Sequence, residues 1–220
     1  MPSNENTKSQ IKSRQRVAQH GEVFTNPREV NAMLDLVRDE SFRLDSRFLE
    51  PACGDGNFLI EILRRKLSLL EGIKSQSEWE FRGLIAVGSC YGIDILSDNA
   101  EACRERLEVF VLGSHPSKSS ISRDSSYSRS LRYMLQKNIV CGDALTYRTA
   151  DNKPIVFCEW TPIAGRRQFA RRDFQFDFLV TQSHQYSLFD EQGEAQNFDE
   201  PVRTYPPLHY TQLYRYEEYV

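Results

Sequence analysis

The stretch Phe48-Leu-Glu-Pro-Ala-Cys-Gly-Asp-Gly-Asn-Phe-Leu59 constrains this chain more than any other. A short apolar run ends at an acidic residue, Glu50. Gly54 and Gly56 follow, and after Asn57 the apolar residues Phe58, Leu59, Ile62 and Leu63 recur at helical spacing. The pattern reads as a buried strand, a tight turn and the start of a helix. Lacking a Cβ, the two glycines let the backbone turn sharply and let a ligand approach it closely. In α/β proteins, ligands lie at the carboxyl ends of parallel strands beside such a turn. A strand followed by Gly-x-Gly also occurs in turns that bind nothing, so the rest of the chain has to carry the reading further.

Three more segments fall in order around it. His20-Gly-Glu-Val-Phe-Thr-Asn-Pro27 lies upstream, and Tyr91-Gly-Ile-Asp-Ile95 and Cys141-Gly-Asp-Ala-Leu145 lie downstream. Together the four segments resemble the adenine-N6 DNA methyltransferases of restriction–modification systems, which use S-adenosylmethionine. The resemblance spans about residues 16–180 and rests chiefly on Gly-Glu-Val-Phe-Thr and Pro-Ala-Cys-Gly-Asp-Gly-Asn-Phe. It implies an α/β fold, a Rossmann-like class I methyltransferase sheet with helices on both faces. Such a sheet usually has seven strands. This chain supplies three α/β units and a candidate fourth strand, so an incomplete sheet is expected, completed or supplemented by a protein partner.

The resemblance also implies a cofactor site. Asp94, at the end of the second strand, is placed for the ribose hydroxyls, and Ile95 for one face of the adenine. Asp143 is placed for the adenine amino group, with Ala144 near the ring. Glu50 is placed for the methionine amino group or for backbone amides of the turn made by Ala52, Gly54 and Gly56. Phe24 and Thr25 match the segment that closes over the methionine end. Each also has a plain structural reading, as a turn, cap or core residue.

The same family carries Asn/Asp-Pro-Pro-Tyr/Phe after the fourth strand, where it orients the target amine and stacks the flipped base. Here Phe176-Asp-Phe-Leu-Val180 reads as that strand, and Thr181-Gln-Ser-His-Gln-Tyr186 follows. The slot is thus Gln182, Ser183, His184 and Gln185, without either proline. Gln182 is a weak candidate acceptor and Tyr186 a weak candidate for stacking. Pro206-Pro207 is preceded by Tyr205 and does not restore the motif. Two classes of function follow: a DNA adenine-N6 methyltransferase of a restriction–modification or defence system with a degenerate catalytic motif, or a non-catalytic cofactor-binding subunit. RNA or protein methylation is a weaker third reading.

Composition bounds the rest. A chain of 220 residues suffices for one domain. No apolar run reaches the roughly 18 residues that would span a bilayer, and the polar N-terminal stretch lacks a secretory signal's apolar core. The five cysteines show no Cys-x-x-Cys spacing, which argues against zinc and for free thiols in a reducing cytoplasm. The net charge of −3 lacks the basic footprint of a nucleic-acid binder. Locally, Gly165-Arg-Arg-Gln-Phe-Ala-Arg-Arg172 offers Arg166, Arg167, Arg171 and Arg172 as a phosphate-contacting loop, or as a solvated hairpin.

Domain organisation reads as a disordered arm over 1–15, a cofactor-binding domain over 16–181 and an irregular, Pro- and Tyr-rich tail over 182–220. The serine-rich stretch 113–130 reads as a flexible insertion. Helices are expected from Pro27, with Asn26 as N-cap, and over about 57–70, 77–90, 99–112 and 127–137. On the second of these, Arg64, Arg65 and Lys66 form the expected wet face. Two β-rich runs, 154–160 and 174–180, flank the arginines as an expected hairpin.

Overall fold

The computed structural model describes residues 25–117, 121–177 and 201–219. Helix α1 (Pro27–Leu36) starts where the sequence places it. The Asn26 Oδ1 accepts the Arg28 N–H at 2.9 Å, and proline occupies the first turn, where a missing N–H costs nothing. A short α2 (Arg38–Ser41) follows. The chain then alternates through β1 (Phe48–Glu50), α3 (Asn57–Ser68), α4 (Gln76–Gly88), β2 (Cys90–Asp94), α5 (Ser97–Ser114), α6 (Ser126–Asn138) and β3 (Ile139–Cys141). Next come β4 (Val156–Ile163), β5 (Gln168–Gln175) and β6 (Arg203–His209), and a 3-10 helix, Tyr210–Tyr219, ends the description.

The fold is mixed α/β with two small sheets. One is parallel, in the order β1-β2-β3, with Leu49 opposite Tyr91 and Asp94 opposite Cys141. All three strands therefore end on the same side. The other is antiparallel, in the order β4-β5-β6. Alternation along β2 serves both faces of the parallel sheet. Gly92 admits Cys53 and Leu59 on one side, while Tyr91 and Ile93 join Ile155, Phe157 and Phe176 on the other. The Tyr91 hydroxyl donates to the Cys158 carbonyl at 2.9 Å and ties the two sheets together. Among the described residues, no helix is long and apolar enough to cross a membrane.

Several expectations change. The wet face of α3 holds only for Arg64: Arg65 is nearly buried and Lys66 wholly so. Lys66 Nζ donates to the Ser46 carbonyl and the Ser89 hydroxyl, both at 2.5 Å, and burial lowers its pKa. Its cation satisfies groups at the entry to β1 and β2 that would otherwise be buried unpaired. The insertion is shorter than 113–130. Helix α5 runs through Ser114, His115 is fully buried, and α6 begins at Ser126. Its serines are working parts: Ser125 Oγ caps α6 by accepting the Ser128 N–H at 3.1 Å, and Ser130 Oγ accepts the Leu213 N–H. The described residues on either side, 113–117 and 121–130, thus include helix ends packed on the fold rather than one flexible insertion.

The hairpin exists but is tighter than expected. Its turn is 164–167, with Gly165 and Arg167 both at positive φ, and β5 ends at Gln175, so Phe176 and Asp177 lie outside any strand. Phe176 instead packs its ring on Tyr147 and Phe157. The rest of the expected fourth strand, 178–180, lies outside the described residues.

The tail is not irregular where it is described. Tyr205, Tyr210, Leu213 and Tyr216 are buried in the main core. Tyr216 OH donates within reach of the Phe169 and Pro206 carbonyls, at 2.9 and 3.0 Å. Tyr210 OH donates to Glu80 Oε2 at 2.7 Å, beneath the surface of α4. On the other oxygen Glu80 meets Gln76 Nε2 at 2.9 Å and His115 Nε2 at 3.2 Å. The Ser117 N–H points at His115 Nδ1, so that nitrogen accepts and the ring proton sits on Nε2, donating to Glu80. Tyr210→Phe removes a hydrogen bond to a buried carboxylate and is expected to cost about 1.5–3 kcal/mol. Urea unfolding measures this, and an unchanged midpoint would show that the C-terminal segment is not clipped to α4 in this way.

Candidate functional site

The carboxyl ends of β1, β2 and β3 open on one cavity of about 480 Å³. The turn after β1 builds its floor. Gly56 has φ 90°, and a Cβ there would lie 2.8 Å from Cys103 Sγ, so only glycine fits between this turn and α5. Gly54 also lies at positive φ and turns its N–H to Asp94 Oδ2 at 2.9 Å. The N-cap of α3 is Gly56, so no side chain caps the first-turn N–H groups, and Asn57 and Phe58 line the cavity. Uncapped N–H groups at a helix start favour an anionic ligand group.

Asp94 organises the site. Besides Gly54 it accepts the Leu96 N–H on Oδ1 at 2.9 Å and Asn99 Nδ2 at 3.2 Å. A carboxylate offers about four lone-pair positions. Described donors take three of them, two on Oδ1 and one on Oδ2. Asp143, after β3, accepts the Leu145 N–H at 2.8 Å, and that bond lowers its pKa. Glu50 is different: burial raises its pKa, and its nearest backbone donor, Ala52 N–H, is 3.4 Å away. Among the described residues, that long contact is its one hydrogen bond.

Asp55 is held from outside. Arg106 of α5 donates to the Asp55 carbonyl at 2.7 Å, pairs with Oδ2 at 2.5 Å, and reaches Asn57 Oδ1 at 3.0 Å. Asp55 Oδ1 is buried with no hydrogen-bond partner. A polar atom left this way carries a desolvation cost. Ile95 and Leu145 are exposed apolar walls, with Ala144 between the strand end and Leu145. Cys53 also borders the cavity. Contact with the Cys103 thiol, then burial, push its pKa far up, so it is a packing residue and not a nucleophile.

The expected cofactor residues thus converge. Thr25, Glu50, Ala52, Gly54, Asp94, Ile95, Asp143 and Ala144 all line this one cavity, and Gly56 shapes its floor. Phe24 lies outside the described residues, as do Gln182, Ser183, His184, Gln185 and Tyr186. Asn57, Asn99, Leu145 and Arg106 were not foreseen. Asn99 could have been found from its place one turn into the helix after Asp94. Arg106 could not, because it comes 51 residues after the turn it braces.

The four arginines of the cluster do not share one surface, because Arg171 is turned inward. Arg171 is buried, with Nε and Nη2 on the two oxygens of Asp173 at 2.8 and 2.7 Å and Nη1 on Tyr133 OH at 2.6 Å. It lies 4.2 Å from the Tyr205 ring centre. Period-2 alternation puts Phe169, Arg171 and Asp173 on the core face of β5, a placement that composition does not reveal. Arg172 pairs with Glu159, which also binds Arg47. Arg167 donates to Ser77 Oγ at 2.7 Å, near Glu78. Arg166 alone of the four is exposed without a described ion pair. None of the four lines the cavity. Compared with models of protein families, with curated proteins and with solved structures, the chain matches none.

Proposed function

We propose that this chain binds S-adenosylmethionine as the cofactor domain of an adenine-N6 DNA methyltransferase system, within a Rossmann-like class I sheet. One observation carries the reading. Residues from four separated segments, Thr25, Glu50 with the glycine turn, Asp94, and Asp143, meet at one cavity over the ends of parallel strands. The donor set suits the ligand. The Asp94 carboxylate suits a ribose hydroxyl. Ile95, Ala144 and Leu145 suit a flat ring, and Asp143 suits an exocyclic amine. The uncapped start of α3 suits a carboxylate, and Glu50 suits an ammonium group. The cavity falls within the roughly 300–1,000 Å³ range of small-molecule sites. When bound, the cofactor supplies an activated methyl group.

The non-catalytic reading is favoured for the isolated chain by two observations. Gln182-Ser-His-Gln185 stands where a rigid Asn-Pro-Pro-Tyr is expected, and three of the four clustered arginines, Arg167, Arg171 and Arg172, are engaged by internal partners. A loop without prolines does not hold acceptor groups against a target amine, and a misplacement of about 1 Å costs on the order of a hundredfold in rate. Two measurements test the proposal. Calorimetric titration of the purified chain is expected to show S-adenosylmethionine binding at one site. Radiolabelled methyl transfer to unmethylated DNA is expected to be absent or very slow. Lack of cofactor binding would overturn the functional reading. Turnover on the order of 1 s⁻¹ would overturn the non-catalytic one and make Gln182 the first residue to mutate.

A further inference from the structure

The cavity carries a charge pattern that none of its single residues announces. Glu50, Asp55, Asp94 and Asp143 line it, and among the described residues no lysine, arginine or histidine does. Arg106 offsets only Asp55, from the α5 side. Asp94 and Asp143 are held by neutral backbone N–H groups and, for Asp94, a neutral amide, which stabilise charge without cancelling it. Glu50 is partly buried, and no ion pair is described for it among the described residues. Asp55 Oδ1 is buried without a hydrogen-bond partner among the described residues.

We infer that this cavity selects its ligand by charge, holding the methylated sulfonium cofactor more tightly than its demethylated thioether product, with Glu50 as the main specificity-determining residue. The inference rests on the S-adenosylmethionine reading above. The two ligands share the adenosine and the amino-acid end. They differ by a methyl group and one positive charge. A carboxylate some 6–10 Å from a unit positive charge, at an effective dielectric of about 20–40, alters binding on the order of tenfold. Three carboxylates not offset by a cation make that difference at least tenfold in favour of the sulfonium. The consequence is a pocket that releases its ligand once the charge is gone.

The test is calorimetry on the full chain with three probes, at low and high salt. The probes are S-adenosylmethionine, S-adenosylhomocysteine, and sinefungin, which carries an amine in place of the methylated sulfur. The two cationic probes are expected to bind about tenfold or more tightly than S-adenosylhomocysteine, with the gap shrinking as salt rises. Glu50→Gln should narrow the gap by weakening the cations more than the neutral probe. If that variant does not fold, Asp143→Asn, at an exposed carboxylate, should narrow it in the same sense. Equal or tighter binding of S-adenosylhomocysteine would overturn the charge selection while leaving the nucleoside site standing. Binding by none of the three would overturn the S-adenosylmethionine reading and this inference with it.

Discussion

Arg171→Ala is expected to destabilise the chain by about 3–5 kcal/mol, the range for removing one member of a buried ion pair. The guanidinium fills a pocket of aromatic rings from Tyr133, Trp160, Tyr205 and Tyr216 and neutralises Asp173. Alanine would leave the Asp173 carboxylate with little beside the Tyr205 hydroxyl, at 3.2 Å. It would also open a cavity between β5, α6 and the C-terminal segment. At about 2–4 °C per kcal/mol for a chain of this size, the melting temperature should fall by roughly 10 °C. Arg166→Ala, in the exposed turn, should stay within about 0.5 kcal/mol of the parent. Pairing Arg171→Met with Asp173→Asn should recover part of the loss, because it removes the stranded charge. Denaturant melts of the four proteins decide this. A fully stable Arg171→Ala protein with reduced DNA binding would return the arginine to a surface, phosphate-contacting role.

Asp94→Ala is expected to lower S-adenosylmethionine affinity by more than a hundredfold, equivalent to about 3 kcal/mol. Two effects combine. The ligand hydroxyl loses a charged acceptor, worth about 1.5–3 kcal/mol. The Gly54 and Leu96 N–H groups, both held by this carboxylate, lose the bonds that fix the turn and the entry to α5. Asp94→Asn should be milder, since its amide oxygen can keep one of the two backbone bonds but its NH₂ repels the other donor. Titration calorimetry separates the two causes when run beside melting curves. If affinity falls and stability does not, the residue serves the ligand. If both fall together, it serves the turn first. Unchanged affinity in Asp94→Ala would show that the ligand does not lie over the end of β2.

The strand, glycine turn and helix over 48–68, the Asn26 cap and the strand ending at Asp94 were legible in the sequence, because each is set by local chemistry. A cap needs one side-chain oxygen next to its own helix. A positive φ needs a missing Cβ, and an amphipathic period needs only neighbours on one element. The convergence of Glu50, Asp94 and Asp143 was also legible, since parallel strands must end on the same side once they pair in order. Tertiary structure alone decided which polar residues are inside. Lys66 and Arg171 look like solvated charges in a one-dimensional reading, yet both are buried, Lys66 on Ser46 and Ser89 and Arg171 on Asp173 beside it and Tyr133 of α6. The same holds for the serines of 122–130, which cap and brace helices, and for Tyr205, Tyr210, Leu213 and Tyr216, which finish the core from the far end of the chain. Composition measures a side chain's preference for water. Whether that preference is met by water or by a buried partner depends on contacts that sequence separation hides, and Arg106 on the Asp55 carbonyl is the case that matters most to the site.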